Sequence, residues 1–483
     1  MKRLTRHGYL ITKSILNPSE IDKIKKDLTM IPKGTDYMGT GNVVTFNAYK
    51  EDEKYLAIPR FYGIKHFGEP EINRLNNPEK VDFDYVGELY PNQKVHVSKT
   101  LDGLEKGGGG LIVAGCGLGK TNMALYIAAQ LKVKVLFVVH TRDLCDQIRE
   151  RAEQYTTCKS FGLIRGPIAD VNHPIVIGTV QTIAKDKYPS SIYKGFGLVV
   201  IDEVHHMAAM TFSKAYSIIG SKYMLGISAE NARKDGLFHL IKWHMGPILT
   251  YQDQPPNNKV IVKRFEYSSD DFTSLRHIDI KPGKPNIAKM ETNLSKSKKR
   301  NKFIGIILKH LVDMDRNTLF LSYRVEHASS FSTLPIDSGM YVSQVPKKER
   351  EKNVTKPMIL SVYQMAKEAL DIPTLDTVVF AMPNSDPKQP VGRILRKRNY
   401  DGNPIVIDIV DVRSDIFNRR SKHRTRYYKQ KEYQIQTFKI TDIPNGEGIQ
   451  YNDVEQIRKC LEEKSVFDNK VKPKKEEIEW TFE

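Results

Sequence analysis

The chain has 483 residues, with 75 Lys+Arg against 57 Asp+Glu, a net charge of +18 with His neutral. At about 150 residues per domain this length allows two to four domains. The 40% hydrophobic content excludes a disordered chain, which combines low hydrophobicity with high charge. Near-average Gly and Pro exclude a collagenous or low-complexity build. No apolar run approaches the roughly 20 residues that cross a bilayer, and residues 1–16 lack the apolar core and small-residue cleavage site of a secretory signal. The four cysteines, Cys116, Cys145, Cys158 and Cys460, form no CxxC pair and no zinc spacing. A soluble, intracellular, thiol-reduced protein is expected. The positive balance suits a polyanion, either nucleic acid or an acidic membrane face, and composition does not choose between them.

In chain order, residues 1–85 mix short apolar stretches with turn signals and carry no catalytic pattern; 56–63 read as a strand or sheet edge containing Pro59. From residue 86 to 255 the pattern changes to wholly apolar runs at 111–114, 135–139, 175–178, 198–201 and 224–227, separated by amphipathic helices. Such runs are what a parallel sheet covered on both faces requires. Residues 256–302 read as a connecting region that ends in a basic linker, 296–302. A second strand–helix series covers 303–440, with strands at 318–322, 340–343, 358–362, 377–381 and 404–410. Residues 441–483 read as a charged, peripheral or disordered tail.

The strongest motif is Ala114-Gly115-Cys116-Gly117-Leu118-Gly119-Lys120-Thr121, which follows an apolar strand and opens a helix over 122–131. Glycines let backbone N–H groups curl round a phosphate, and the helix N-terminus adds partial positive charge. Lys120 would reach the β- and γ-phosphates, and Thr121 would hold Mg²⁺. The general pattern begins with Gly where this chain has Ala114, so the spacing carries the reading. The apolar run at 198–201 leads into Asp202-Glu203-Val204-His205-His206. Asp202 can hold Mg²⁺ and Glu203 can polarise an attacking water. Adjacent acids at a strand end are often only an exposed turn, but a preceding phosphate loop favours the catalytic reading. In Gln389-Pro390-Val391-Gly392-Arg393-Ile394-Leu395-Arg396, arginines three apart share one helix face. Two guanidinium groups there can stabilise charge on a transferring phosphoryl group. A solvated basic helix would look the same without the other motifs.

In this order the motifs resemble a superfamily 2 helicase of the DExH type over about residues 88–430. The fold class implied is α/β, two tandem RecA-like parallel-sheet domains with a small N-terminal accessory domain, 1–85, that binds nucleic acid in relatives. The resemblance makes Gln93, in Tyr90-Pro91-Asn92-Gln93, the adenine-recognition element and 114–121 motif I. ATP contacts then come from Gln93, Gly115, Cys116, Gly117, Leu118, Gly119, Lys120, Thr121 and Asp371. Lys120, Asp202, Glu203, Gln389, Arg393 and Arg396 become catalytic residues, with Mg²⁺ on Thr121 and Asp202. Thr141 and Arg142 fall in motif Ia, Thr179 and Gln181 in motif Ib, and Arg324 in motif IV; all five would contact nucleic acid. Motif V is similar to 366–373. Residues 232–237 and the strand at 405–410 followed by Asp411 and a basic helix resemble one subgroup. That subgroup includes the poxvirus transcript-release helicase, related helicases of large DNA viruses and a T-even phage recombination helicase. The resemblance implies ATP and Mg²⁺ as cofactors, a monomer moving 3′ to 5′ on nucleic acid with DNA favoured over RNA, partners in transcription or replication, and no membrane. Glu230 and Asn231 follow Ser228-Ala229 where the family has Ser-Ala-Thr, and Ala369 stands where Gly is common.

Between Arg413 and Tyr433 there are eight Lys/Arg and two acids, interleaved with Tyr427, Tyr428 and Tyr433. Arg424 and Arg426 are expected to hold phosphates there, with the tyrosines stacking on bases. Two alternatives to an unwinding helicase stay open. One is a duplex translocase that anneals strands or releases transcripts, favoured by the altered Ser-Ala-Glu. The other is a non-enzymatic nucleic-acid-binding subunit, opposed by the intact Lys120, Asp202, Glu203, Arg393 and Arg396. A nucleotide kinase or GTPase would leave Asp202–His205 and the arginine pair idle.

Overall fold

The computed structural model describes residues 1–32, 45–115, 117–208, 213–233, 235–253, 256–271, 279–281, 284–368, 370, 372–396 and 402–463. The chain divides into two compact units, residues 1–254 and 255 onward.

The first unit begins with β1 (Lys2–Thr5), β2 (Gly8–Thr12), β5 (Lys50–Glu51), β6 (Tyr55–Ile58) and β7 (Ile72–Asn73), which form one sheet in the order β5-β6-β2-β1-β7. A short antiparallel pair joins β3 (Thr29–Met30) to β4 (Phe46–Asn47). The expected strand at 56–63 stops at Ile58, because Pro59 instead N-caps the helix Arg60–Phe67. That helix packs on the helix Phe238–Met245 through an edge-on Tyr62–Trp243 contact of 5.1 Å. Arg60 donates to the Gly108, Ser221 and Lys222 carbonyls. The helix Arg60–Phe67 is therefore fastened to the sheet that follows it.

That sheet contains β8 (Gly109–Ala114), β9 (Val135–Val139), β10 (Phe161–Arg165), β11 (Ile168–Asp170), β12 (Ile175–Thr179), β13 (Leu198–Asp202), β14 (Tyr223–Ser228) and β15 (Ile248–Gln252). Its order is β11-β10-β12-β9-β13-β14-β8-β15, parallel except at β10–β11. Side chains alternate between two cores: Val135, Phe137, Val139 and Val200 in one, Leu136, Val138, Val199 and Ile201 in the other. A strand buried on both faces has no polar alternation, which is why its sequence is a continuous apolar run.

The second unit repeats this build. Its strands are β16 (Ile261–Ser268), β19 (Thr318–Ser322), β20 (Ser338–Tyr341), β21 (Met358–Val362), β22 (Thr377–Phe380), β23 (Ile405–Asp411), β24 (Gln434–Thr441) and β25 (Ile449–Gln450). The order is β20-β21-β19-β22-β23-β16-β24-β25; a separate two-strand pair joins β17 (Asp279–Lys281) to β18 (Lys284–Pro285). Three expectations are corrected here. The region 256–302 is not a connector, because β16 pairs with β23 on one side and β24 on the other. The basic segment 296–302 is not a linker, because the helix Lys298–Asp313 starts within it and Arg300 is only 1% exposed. Residues 441–463 are not a loose tail, because the helix Val454–Glu462 seals the core with Ile457, Cys460 and Leu461; residues 464–483 lie outside the described residues.

Two buried ion pairs fix helices to opposite faces of β23. Arg300 makes a bidentate pair with Asp411, at 2.6 and 3.0 Å, on the face of Ile405, Ile407 and Ile409. Arg424 pairs with Asp408 at 2.6 Å on the face of Val406, and both side chains are 0% exposed. The expectation that Arg424 contacts nucleic acid is thereby corrected, since its guanidinium is spent inside the core. Tyr427, Tyr428 and Tyr433 are corrected with it, because all three lie in that same core rather than open to bases. Arg424→Ala leaves Asp408 buried and uncompensated, so it is expected to cost about 3–5 kcal/mol. A lowered urea midpoint would check this; an unchanged one would contradict it.

Candidate active site and nucleic-acid edge

In the first unit the motif residues gather where parallel strands end. The phosphate loop leaves β8, Asp202 ends β13 with Glu203 next, Ser228 ends β14, His140 follows β9 and Thr179 ends β12. The carboxyl edge of a parallel sheet is where helix N-termini and loops converge, and ligands of open α/β sheets bind there.

Gly117 and Gly119 have φ of +83° and +75°, a left-handed backbone that only glycine adopts at no cost. Gly119 N-caps the helix Lys120–Leu131, and a Cβ on it would lie 2.2 Å from Gln93 Nε2. Lys120 Nζ donates to the Ala114 carbonyl at 3.0 Å, drawing the ammonium across the mouth of the loop. Cys116 lies outside the described residues. Gln93 is buried at the first turn of the helix Pro91–Gly107. Its Oε1 accepts from the Tyr90 N–H and its Nε2 donates to the Leu118 carbonyl, at 3.0 Å each. Gln93 thus braces the loop, leaving one N–H for a ligand.

Glu203 has φ of +47°, a conformation that costs a non-glycine residue of order 1–3 kcal/mol. The Glu203 N–H donates to Asp202 Oδ1 at 2.8 Å. Burial, and then the neighbouring Glu203 charge, push the Asp202 carboxyl up to about 6. Burial also raises Glu203, but Lys120 and then His205, His206 and His140 outweigh it and hold that carboxyl below its ordinary value. Glu203 is therefore the carboxylate held ionised. Asp202 is a half-buried acid whose charge a cation would stabilise. A carboxylate and the Thr121 hydroxyl are hard oxygen donors of the kind Mg²⁺ takes alongside substrate phosphates.

His205 Nδ1 lies 3.0 Å from Ser228 Oγ and 3.3 Å from Glu203 Oε2. Ser228 Oγ also accepts the Glu230 N–H at 3.0 Å, so Asp202–His205 and the Ser-Ala-Glu segment are tied together. His206 packs between His205 and His140, its ring tilted against both, with centroids 4.2 and 4.4 Å away. Burial, and then repulsion from the other two histidines, lowers it to about 3. Gln181 Nε2 donates to the His140 carbonyl at 2.6 Å, which links motifs Ia and Ib. Sequence reasoning missed His140 and His206. The His205-His206 pair was visible, but only the pairing of β9 with β13 brings His140 beside it.

The expected nucleic-acid residues separate by exposure. Arg142 and Gln181 are exposed. Thr141 N-caps the helix Arg142–Tyr155, its hydroxyl accepting the Leu144 N–H. Thr179 is corrected as a side-chain contact: it is 6% exposed and its hydroxyl bonds Thr182. In the second unit Arg324 donates to the Ala288 carbonyl at 2.7 Å and is partly exposed, and Arg426 is exposed.

The helix Lys388–Ile394 ends before Arg396, so the two arginines do not share a helix face as expected. They still converge: Arg393 Nε donates to the Ala366 carbonyl at 2.8 Å and Arg396 Nη1 to the Leu370 carbonyl at 3.5 Å. Gln389 Oε1 is buried without a partner among the described residues. Asp371 lies outside the described residues.

Comparison with known proteins bears on the family and the fold. Residues 87–232 match the family described as "Type III restriction enzyme, res subunit". The chain is 42% identical over 474 residues to "Putative ATP-dependent RNA helicase L396" of Acanthamoeba polyphaga mimivirus, covering 95% of this chain and 91% of the relative. It is 34% identical over 142 residues to "DNA 3'-5' translocase XPB2" of Sulfurisphaera tokodaii, covering 29% of this chain and 31% of that one. Among solved structures it resembles S. cerevisiae Dbp5 bound to RNA and ADP BeF3, with a TM-score of 0.51, 13% identity, and 77% of this chain and 97% of that chain covered. It also resembles the Type ISP restriction-modification enzyme LlaBIII bound to DNA, with a TM-score of 0.51, 15% identity, and 78% and 33% covered. These two likenesses show the fold, two RecA-like domains. The chain belongs to the superfamily 2 helicases, an ATP-dependent enzyme family. Within it, the chain falls among the helicases of large DNA viruses. No helix among the described residues is long and apolar enough to cross a membrane.

Proposed function

We propose that this protein is a DExH-type motor that couples ATP hydrolysis to 3′-to-5′ movement along nucleic acid, with DNA favoured, as a monomer serving viral transcription or replication. The observation that carries this reading is the grouping of Lys120, Asp202, Glu203 and the His205–Ser228 link at one sheet edge, beside the Gln181–His140 contact. In this reading Gln93 meets the adenine, and the loop N–H groups and Lys120 hold the phosphates. Thr121 and Asp202 hold Mg²⁺, which supplies charge neutralisation on the phosphate oxygens. Glu203 orients and polarises the attacking water, and His205 and Ser228 carry its state toward the nucleic-acid edge. Asp371, Gln389, Arg393 and Arg396 are further ATP contacts in this reading, the arginines stabilising the charge that develops on the γ-phosphate. Thr141, Arg142, Gln181 and Arg324 grip the strand, Thr141 from the end of its helix, and Arg426 contacts it separately from the helix Asp415–Gln430. The polarity and the DNA preference rest on the family resemblance and on the Sulfurisphaera tokodaii relative's name; the mimivirus relative's name points to RNA.

ATPase assays with single-stranded DNA, duplex DNA and RNA as separate stimulants test this reading. Stimulation strongest with DNA is expected, and no stimulation by any of the three would overturn it. Glu230, where the family has Thr, favours a second reading: a duplex translocase that anneals or releases strands without robust unwinding. On a forked duplex, ATP-dependent strand separation supports the helicase, whereas annealing without separation supports the translocase.

A further inference from the structure

The helix Asp415–Gln430 carries six Lys and Arg among its residues, and the fold treats them in two ways. Arg424 faces the core, paired with Asp408, and Arg420 bonds Glu291 at 2.7 Å. Arg419, Lys422, Arg426 and Lys429 are exposed, and among the described residues none has a carboxylate partner; Arg419 only donates to the backbone carbonyl of Asp415. Their spacing of three, four and three places them on one helix face. At 1.5 Å per residue the stripe runs about 15 Å, about four steps of a DNA strand at 3.4 Å per phosphate along the axis. Asp415 is the one acid within this helix, at its first turn.

Topology gives the stripe a direction. β23 before the helix and β24 after it both run parallel to β16, so the helix must run back across the sheet against the strands. Arg419 therefore lies toward the carboxyl edge that carries Arg324 and the helix Tyr363–Glu368, and Lys429 lies toward the opposite edge, on the outer face of this unit. We propose that Arg419, Lys422, Arg426 and Lys429 form a second phosphate-backbone site that carries nucleic acid away from the motif-bearing edge along the outside of the second unit. The proposal deepens the motor reading and rests on it for the identity of the polyanion. Acids neutralise the cations that the helix buries, while the outer four form a continuous row of the sign and pitch that a phosphate backbone complements. A row of lysine and arginine without aromatic partners reads charge rather than sequence, so the site takes single strands or duplex without base preference.

The test is the salt dependence of binding, by fluorescence anisotropy, for full-length protein with single-stranded DNA, duplex DNA and single-stranded RNA. Each phosphate contact contributes about 0.7 to the log–log slope on single strands and about 0.9 on duplex. The quadruple variant Arg419→Gln/Lys422→Gln/Arg426→Gln/Lys429→Gln is expected to lower the slope by up to about 3 on a single strand and up to about 4 on duplex, for a probe that fills the stripe. Lys348→Gln/Lys352→Gln, on the exposed helix Lys347–Asn353, controls for net charge and is expected to leave the slope nearly unchanged. An unchanged slope in the quadruple variant, or an equal loss per charge in the control, overturns the proposal. Wild-type ATPase stimulated by nucleic acid alongside either result would sink the stripe while leaving the motor reading standing; absence of stimulation would sink the motor reading itself.

Discussion

Lys120→Ala is expected to lower ATP turnover by at least about 10²–10³-fold, the usual cost of removing one preorganised donor from developing phosphate charge. The loop backbone is set mainly by Gly117 and Gly119 and braced by Gln93, to which the lysine adds its bond to the Ala114 carbonyl. Ala is also a strong helix former at the start of the helix Lys120–Leu131. The variant should therefore fold with an unchanged urea midpoint while losing nucleotide binding and turnover together. The lysine charge has a second role, since it helps hold Glu203 ionised against burial. Steady-state phosphate release and binding of a fluorescent ATP analogue check both effects. Turnover within a few-fold of wild type would remove Lys120 from its role.

Arg396→Ala is expected to behave differently: nucleotide affinity close to wild type, and turnover lowered by about 10³–10⁵-fold, the range an arginine finger contributes. The reasoning is one of differential binding. A guanidinium that meets charge developing only in the transition state lowers the barrier without tightening the ground state. Arg393 and Arg396 both reach the 366–370 segment, but Arg393 makes the shorter bond, at 2.8 Å to the Ala366 carbonyl. Arg393→Ala should accordingly add a loss of stability to its loss of turnover. Weakened ATP binding in Arg396→Ala with unaltered turnover at saturation would sink the finger assignment.

Much of this architecture is readable along the chain for one reason. Parallel strands covered on both faces must be apolar at every position, so β9, β19 and β21 stand out as runs with ends that agree with the structure. β16 is hidden by the same logic. Its Ile-Val-Lys-Arg-Phe-Glu-Tyr-Ser includes three charges, yet it lies inside a sheet, with Lys263 1% exposed above the Phe438 ring. A buried cation held by distant groups leaves no local pattern to read.

The phosphate loop, the Asp202–His205 turn and the arginine pair are local in the same sense. Each is a short stretch whose residue types and order already state the chemistry, because loop conformation and helix placement follow from glycine and from the strand before it. Partnership is different. Whether a basic residue meets solvent, as Arg426 does, or an acid sixteen positions away, as Arg424 does at Asp408, depends on which helix face meets which strand face. Likewise His140 reaches His206 only because β9 lies beside β13. Order along the chain identified a superfamily 2 motor, since its motifs are contiguous. Only the packed sheets decided which cations remain for nucleic acid, because burial and pairing are set by long-range contacts.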